Sequence, residues 1–225
     1  MKLYYAPASS YSQRVLIALY VKNIAFIPVE VDLFEPDTQE CYKRINPFSK
    51  IPTLETDDGQ VLFEACVIIE YLDQYFQNKP RLIPLDPERA LEVRMLERII
   101  DVYVNGGREA LFADTQRPVE DRGSKQVVKA QRLLKTACTF LDERLNSRTW
   151  LAGEEFSLAD CAAAPTLTYL RMVYNYQHLS RLTDYVNRLE SSPFVAKVQR
   201  EGHDQMMRML TTLKYPLNFM LLNTR

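Results

Sequence analysis

The sequence predicts an α/β domain over residues 1–78, a linker over residues 79–88 and an all-helical domain over residues 89–225. Short strand-like patterns alternate with helical patterns in the first part, whereas every long segment after the linker repeats its apolar residues with the period of a helix. The chain has 225 residues, 47% hydrophobic and 25% charged, which is typical of a globular protein of two compact domains.

The predicted elements of the first domain follow the order β-α-β-α-β-β-α. Asp58-Gly59 is a strong hairpin signal between the last two strands, and Pro28 places the second strand at a sheet edge or a bulge. This order predicts a four-stranded mixed sheet with helices on its faces. The strands are expected at residues 2–5, 27–31, 53–56 and 60–63, and the helices at residues 11–22, 36–45 and 64–76.

The linker and the helices after it have equally clear signals. Residues 79–88 hold three prolines and show no periodicity, which is typical of a linker. Ser157 and Asp160 have the spacing of a capping box and open a helix rich in small residues. Further helices are expected at about residues 89–112, 130–145, 180–190 and 193–213. The tail over residues 201–225 carries Met206, Met207, Met209 and Met220, and the sequence assigns it no role.

Composition excludes several classes of protein. Lys and Arg number 28 against 29 Asp and Glu, so the net charge of -1 argues against nucleic acid as a partner. No apolar run approaches the ~20 residues that a membrane span needs, and no signal peptide pattern is present. We therefore expect a cytoplasmic protein that does not bind a membrane. The four cysteines form no CxxC pair and only two histidines exist, so no metal is expected.

The first candidate site is the start of the first helix, Ser9-Ser10-Tyr11-Ser12-Gln13-Arg14. Ser10 and Gln13 have capping-box spacing, which predicts that the helix begins here. The free N–H groups and positive dipole end of a helix start favour a bound anion such as a thiolate, to which a serine hydroxyl can add a hydrogen bond. The alternative is that both serines only cap the helix.

Two further segments could bind the same ligand. A cis Ile51-Pro52 bond would turn the backbone of Ile51 outward to pair with an extended peptide, although an ordinary loop proline is the alternative. Glu64 and the N–H groups of Ala65 and Cys66 stand where a strand turns into a helix, and they suit a ligand with both an ammonium group and a carboxylate. Glu64 could equally do no more than complement the helix dipole.

Taken together, these segments resemble the cytosolic glutathione transferase family over nearly the whole chain. Five motifs occur in the family's order, and the N-terminal half resembles the thioredoxin fold. The motifs are the Pro7–Arg14 helix start, the Asn46-Pro47…Ile51-Pro52 turn, Asp58-Gly59, the Glu64 helix start and the Ser157–Asp160 box. The resemblance implies a glutathione transferase, with glutathione as co-substrate, in which a thiolate attacks a small electrophile, as in detoxification.

The resemblance also implies roles for residues. Ser9, or Ser10 next to it, would hydrogen-bond the sulfur; the remaining contacts to glutathione would come from Lys50, Ile51, Pro52, Glu64 and Ala65. The electrophile would lie near Tyr11, Tyr103, Arg108 and Phe112, and two chains would form a homodimer. Most relatives have serine after the glutamate, whereas this chain has Ala65, so weaker glutathione binding is expected.

Two alternatives stay open at this point. The serine string also resembles the zeta class, whose members isomerise maleyl compounds with glutathione, but Tyr11 replaces the cysteine usual there. Stringent starvation protein A resembles the family and works as a partner of the transcription machinery without glutathione chemistry. Ala65 favours this second alternative, whereas Ser9, Lys50 and Glu64 argue against it.

Overall fold

The computed structural model of the chain describes residues 1–77 and 79–217, and the first half forms the expected sheet. The strand order is β2-β1-β3-β4, in which β1 and β2 are parallel and the other two pairs antiparallel. The elements are β1 (Lys2–Tyr5), α1 (Ser10–Val21), β2 (Ile27–Glu30), α2 (Pro36–Tyr42), β3 (Thr53–Glu55), β4 (Val61–Leu62) and α3 (Ala65–Tyr75). The predicted mixed sheet is confirmed, and Met220 lies outside the described residues.

The sheet packs its centre against two helices. Leu3 of β1 pairs with Leu54 of β3, and both side chains are completely buried. They belong to one apolar core with residues of α1 and α3, among them Val15 and Ile68. Pro28 lies in β2, which is an edge strand of the sheet. Proline has no backbone N–H to donate to a neighbouring strand, and an edge strand tolerates the missing hydrogen bond.

The second half is helical, as predicted. It contains α4 (Pro87–Ile99), a π-helical segment (Ile100–Asn105), α5 (Gly106–Thr115), α6 (Lys125–Arg144), α7 (Leu158–Leu170), α8 (Ser180–Ser191) and α9 (Pro193–Thr211). Every residue of α7 is buried, and this helix contacts α1, α4, the π segment and α8. Its small side chains therefore allow it to be the central helix. Within the described ranges, no helix is long and apolar enough to cross a membrane.

The predicted capping box at the start of α7 is present. Both the backbone N–H and the hydroxyl of Ser157 donate to one Asp160 carboxylate oxygen at 2.8 Å. The other oxygen accepts from the Leu151 N–H at 3.0 Å and from the Tyr185 hydroxyl at 2.6 Å. The fully buried Asp160 carboxylate thus accepts four hydrogen bonds. It caps α7 and also joins α7 to α8.

The segment before α4 is fixed by a buried ion pair between α1 and α3. Lys22 and Asp73 are almost completely buried, and the Lys22 ammonium group donates to Asp73 Oδ1 at 2.6 Å and to the Pro80 carbonyl at 2.8 Å. The Asp73 carboxylate also accepts the N–H groups of Leu82 and Ile83. Residues 79–86 contain no helix or strand. Their backbone is nevertheless held by hydrogen bonds to both Lys22 and Asp73.

Candidate functional site

Three helix and loop starts lie at one edge of the sheet. The loop that begins α1 follows the C-terminal end of β1, and Tyr4 near that end pairs with Thr53, the first residue of β3. The turn at Ile51-Pro52 directly precedes Thr53. Leu62, which ends β4, pairs with Leu54, so the start of α3 reaches the same edge. The strand register therefore brings the three candidate segments together.

Ser9 is the N-cap of α1. Its hydroxyl oxygen accepts the Ser12 N–H at 3.3 Å, and its side chain is half-buried, whereas Ser10 is buried in the first turn. The predicted pairing of Ser10 with Gln13 in a capping box is wrong. The Gln13 amide instead donates to the Pro7 carbonyl at 2.9 Å and to the Tyr169 hydroxyl at 2.8 Å, because these distant partners occupy both of its hydrogens.

The loop before Ser9 is held from the helical half of the molecule. The Tyr169 hydroxyl donates to the Ala8 carbonyl at 3.1 Å, and the Ala8 N–H donates to Gln205 Oε1 at 2.7 Å. Gly202 of α9 lies so close that a Cβ there would be 2.6 Å from the Pro7 carbonyl oxygen. Sequence reasoning missed these residues, because they belong to α7 and α9 and no local pattern marks them.

Replacing Gly202 by alanine is expected to disturb this loop. The added methyl carbon would lie 2.6 Å from the Pro7 carbonyl oxygen, which is too close for these two atoms. Either α9 or the Pro7 backbone must therefore move. We expect the free energy of unfolding to fall by about 1–3 kcal/mol, the usual cost of forcing an extra carbon into a close-packed contact. Denaturation with urea measures it, with Gly106→Ala as the control because its Cβ would meet open space. Equal stability of the two variants would contradict it.

The turn at residues 49–52 contains the cis peptide bond considered above, Ile51-Pro52. The Lys50 carbonyl accepts the Tyr42 hydroxyl at 2.9 Å and the Asn46 side-chain amide at 2.8 Å, which fixes the turn from behind. Ile51 is half-buried, and within the described residues neither its N–H nor its carbonyl has a hydrogen-bond partner. These two groups can therefore pair with the backbone of a ligand.

The start of α3 has unusual backbone geometry. Glu64 is the N-cap with φ = 64°, and its exposed side chain caps nothing. A glutamate in this region of backbone space is strained, and such residues concentrate at binding sites. The first backbone hydrogen bond of the helix runs from the Ile68 N–H to the Glu64 carbonyl, which leaves the N–H groups of Ala65 and Cys66 available for an anion.

A polar cluster links α1 to the π-helical segment and to α5. The Tyr11 hydroxyl accepts from the Asn105 amide at 3.0 Å, and Asn105 Oδ1 accepts from Nε and Nη2 of Arg108 at 3.1 and 2.9 Å. Asn105 ends the π-helical segment, a feature frequent at functional sites. Burial raises the pKa of Tyr11 to about 12, so its hydroxyl stays protonated at neutral pH.

The four residues expected at the electrophile site are only partly brought together. Tyr11 and Arg108 are joined through Asn105, which the sequence analysis did not select. Tyr103 is exposed and Phe112 half-buried, and neither makes a hydrogen bond or ring contact with the other two in the described part of the chain. The Asn105-Gly106-Gly107 run is unusual inside a helix, and it was the sequence signal that could have marked Asn105 as a candidate site residue.

Arg14 fastens the same region to the helical half. Its buried guanidinium group forms ion pairs with Asp101 at 2.9 Å and Glu97 at 3.5 Å, and it donates to the Thr166 hydroxyl at 3.2 Å. The group also lies 4.3 Å from the centre of the Tyr11 ring. The start of α1 is thereby tied to α4, the π segment and α7.

Three of the four cysteine thiols, those of Cys66, Cys138 and Cys161, are partly or fully buried. Among residues 1–77 and 79–217, no group of three or more His, Cys, Asp or Glu side chains could hold a metal ion. Burial raises the pKa values of the thiols of Cys66, Cys138 and Cys161, so all three are protonated at neutral pH.

Family models of known proteins match both halves of the chain. The glutathione S-transferase N-terminal domain matches residues 3–80, and the glutathione S-transferase C-terminal domain matches residues 100–193. The chain belongs to the glutathione S-transferase family. The thioredoxin-like N-terminal α/β domain and the helical C-terminal domain expected from the sequence are therefore both confirmed.

Relatives within the glutathione S-transferase family have different activities. The stringent starvation protein A homolog of Coxiella burnetii is 32% identical over 167 residues, 74% of this chain and 74% of that protein. The maleylacetoacetate isomerase of Rattus norvegicus is 30% identical over 162 residues, 70% and 72% of the two chains. A glutathione S-transferase structure from Methylobacillus flagellatus with GSH bound has a TM-score of 0.76 and 29% identity, and the match covers 88% of this chain and 98% of that one.

Proposed function

We propose that this protein is a glutathione transferase that activates the thiolate of glutathione for attack on a small electrophile, in the cytoplasm. The observation that carries the proposal is the half-buried Ser9 hydroxyl at the start of α1, at the sheet edge that also holds the Ile51 backbone and the start of α3. A solved relative with GSH bound supports glutathione as the co-substrate.

Ser9 would stabilise the thiolate without itself reacting. A free thiol has a pKa of about 8.5 and is mostly protonated at neutral pH. The oxygen of Ser9 accepts the Ser12 N–H, so its own hydrogen remains available to donate to the glutathione sulfur, and the helix dipole adds to this stabilisation. The sulfur then forms a bond to an electrophilic carbon, and the leaving group departs with its electron pair.

The remaining contacts would extend along the edge of the sheet. The Ile51 backbone N–H and carbonyl would pair with the cysteinyl part of glutathione as a neighbouring strand does. Lys50, which is exposed, would reach the glycine carboxylate. The γ-glutamyl end would meet Glu64 through its ammonium group, and its carboxylate would meet the N–H groups at the start of α3, beginning with Ala65.

Ala65→Ser is expected to tighten glutathione binding. The added hydroxyl supplies one charge-assisted hydrogen bond to the γ-glutamyl carboxylate, and after the loss of bound water we expect about a fivefold lower Kd. Calorimetry on the two proteins measures it, and Gln74→Ser, at an exposed position of the same helix far from its start, is the control. An unchanged Kd with measurable wild-type binding would mean that the γ-glutamyl end binds elsewhere.

A two-fold dimer is expected, in which the hairpin-to-α3 region of one subunit meets α4 and the segment after it of the other. Both regions present exposed apolar side chains, and an ion pair between Glu70 and Arg94 at 2.8 Å joins them into one face. These side chains are Phe48, Val67, Tyr75, Leu91, Met95 and Val102.

Sedimentation at micromolar concentration checks the dimer. We expect twice the chain mass of 26.2 kDa, and Leu91→Glu should shift the protein toward the monomer because it introduces a charge into an apolar interface. Val119→Glu, which changes an equally exposed apolar residue outside this face, should leave the dimer intact. A wild-type mass of one chain would show the expectation to be wrong.

Two of the relatives suggest other functions for the same fold. An isomerase of maleyl compounds would use the same thiolate, and a 30% identical relative is named for that reaction, but Tyr11 stands where the zeta class has its cysteine. A non-catalytic partner of the transcription machinery is suggested by the stringent starvation protein A homolog and by Ala65. Retention on immobilised glutathione separates the classes, because failure to bind would favour the second alternative.

A further inference from the structure

Arg108 differs from the other buried arginine of this region in how its charge is compensated. Arg14 has two carboxylates within 3.5 Å, those of Glu97 and Asp101. Arg108 has one, from Glu109, at 3.5 Å and through Nη2 alone, and the Glu109 side chain is 57% exposed. A single long contact to a solvated carboxylate contributes little, because water screens it.

The donors of Arg108 are incompletely used. A guanidinium group has five N–H donors. Nε and Nη2 both donate to Asn105 Oδ1, a neutral acceptor, and within residues 1–77 and 79–217 Nη1 has no acceptor. The side chain is only 15% exposed, and burial lowers the pKa of this arginine below its usual value. The group is therefore partly dehydrated while it retains capacity for another acceptor.

The position of Arg108 relates it to the electrophile and not to the glutathione carboxylates. It is joined through Asn105 to the Tyr11 hydroxyl, two residues after Ser9 in the chain. Lys50 and the start of α3, which would hold the ends of glutathione, belong to other segments. Among the described residues they make no hydrogen bond to Tyr11, Asn105 or Arg108.

We propose that Arg108 makes this site selective for electrophiles that carry a carboxylate near the reactive carbon. The inference rests on the proposed function and names the class of its second substrate. One carboxylate oxygen would accept from Nη1, the nitrogen of Arg108 that has no acceptor among the described residues. Because the site is partly closed to water, such a charge-assisted bond discriminates against a neutral analogue of the same shape.

A matched pair of electrophiles tests the proposal. In 2-chloro-5-nitrobenzoate and its methyl ester the thiolate sulfur bonds to the ring carbon beside the carboxyl group, and chloride leaves with the bonding pair. Next to the reactive carbon the two compounds differ in charge and by one methyl group. We expect the wild type to accelerate the benzoate reaction more than the ester reaction, each relative to its uncatalysed rate. Arg108→Gln should lower kcat/KM for the benzoate by about tenfold to a hundredfold and for the ester by less than about threefold.

Further variants identify what Arg108 does. Arg108→Lys should be intermediate, since it keeps the charge but loses the planar fork, and Arg132→Gln on the exposed face of α6 should change nothing. Equal losses for the two electrophiles would overturn the proposal, because Arg108 would then only position Asn105 and Tyr11. A raised KM for glutathione with an unchanged benzoate-to-ester ratio would overturn it as well.

Binding measurements keep the test independent of turnover and of the variant's folding. By calorimetry, the wild type should bind the S-aryl glutathione conjugate of the benzoate about tenfold more tightly than that of the ester. This preference without turnover would mean that the proposed transferase function is wrong while the anion site is correct. Equal affinities, or no binding of either conjugate, would overturn the anion site.

Discussion

Ser9→Ala is expected to reduce glutathione-dependent turnover of a generic electrophile by roughly tenfold to a thousandfold, the range found when a donor to a developing or bound anion is removed. Glutathione affinity should change much less, because the proposed peptide contacts are those of Ile51 and the start of α3. The pH at which the rate is half-maximal should move upward, since the thiolate loses one of its stabilising donors. A pH–rate profile and titration of the bound thiolate by ultraviolet absorbance measure both effects.

Controls separate the hydroxyl's chemistry from its capping role. Ser9 caps α1 through the Ser12 N–H, so alanine also costs about 1 kcal/mol of stability, whereas glycine costs only a few tenths. Ser9→Gly should therefore lose activity like alanine while it folds almost normally, and Ser9→Thr should retain much of the activity. Full activity of Ser9→Ala together with loss in Ser10→Ala would move the assignment to the neighbouring residue.

Asp73→Asn is expected to lower the free energy of unfolding by about 3–5 kcal/mol, because it leaves the buried Lys22 ammonium group without a compensating charge. The substitution keeps the shape of the side chain. It also presents amide hydrogens to the N–H groups of Leu82 and Ile83, which donate to the carboxylate in the wild type. Equilibrium denaturation with urea, which gives the free energy and its slope with denaturant, measures the loss.

A double-mutant cycle shows how much of that loss belongs to the pair. Lys22→Met removes the cation, and the Lys22→Met, Asp73→Asn protein should be more stable than the sum of the single effects implies. Asp204→Asn, at an exposed position of α9, should be nearly neutral. A loss below about 1 kcal/mol in Asp73→Asn would show that the ion pair does not hold the segment.

Local patterns were sufficient for the elements and for the segments of the candidate site. The apolar periods located the strands and helices, and the three candidate segments were selected because each stands where a strand or helix begins. The choice of Ser9 within the first segment, and the roles of Ile51 and Glu64, came from the family resemblance. The side chains that support Ser9 could not be found in this way. Tyr169 and Gln205 approach the loop only through the packing of α7 and α9, and the rotation of a helix about its axis is set by tertiary contacts.

The same reasoning explains the errors. The spacing of Ser10 and Gln13 satisfied a capping rule, but a rule for isolated helices takes no account of the Tyr169 hydroxyl, which competes for the Gln13 amide. The linker predicted over residues 79–88 extends into α4, which begins at Pro87. No local pattern revealed that Lys22, the C-cap of α1, and Asp73 of α3 would meet beneath residues 79–86.

The hydrogen bond between Ala8 and Gln205 has a consequence for the order of events during protein synthesis. The two residues are 197 positions apart, so at about 5–20 residues per second the ribosome adds the second roughly 10–40 s after the first. The sheet is complete once residue 62 is made, and the N-terminal half can fold early. The loop before Ser9 nevertheless gains its contacts only after Tyr169 and Gln205 are made. A nascent or C-terminally truncated chain therefore has the sheet edge of the candidate site without the support that positions Ser9.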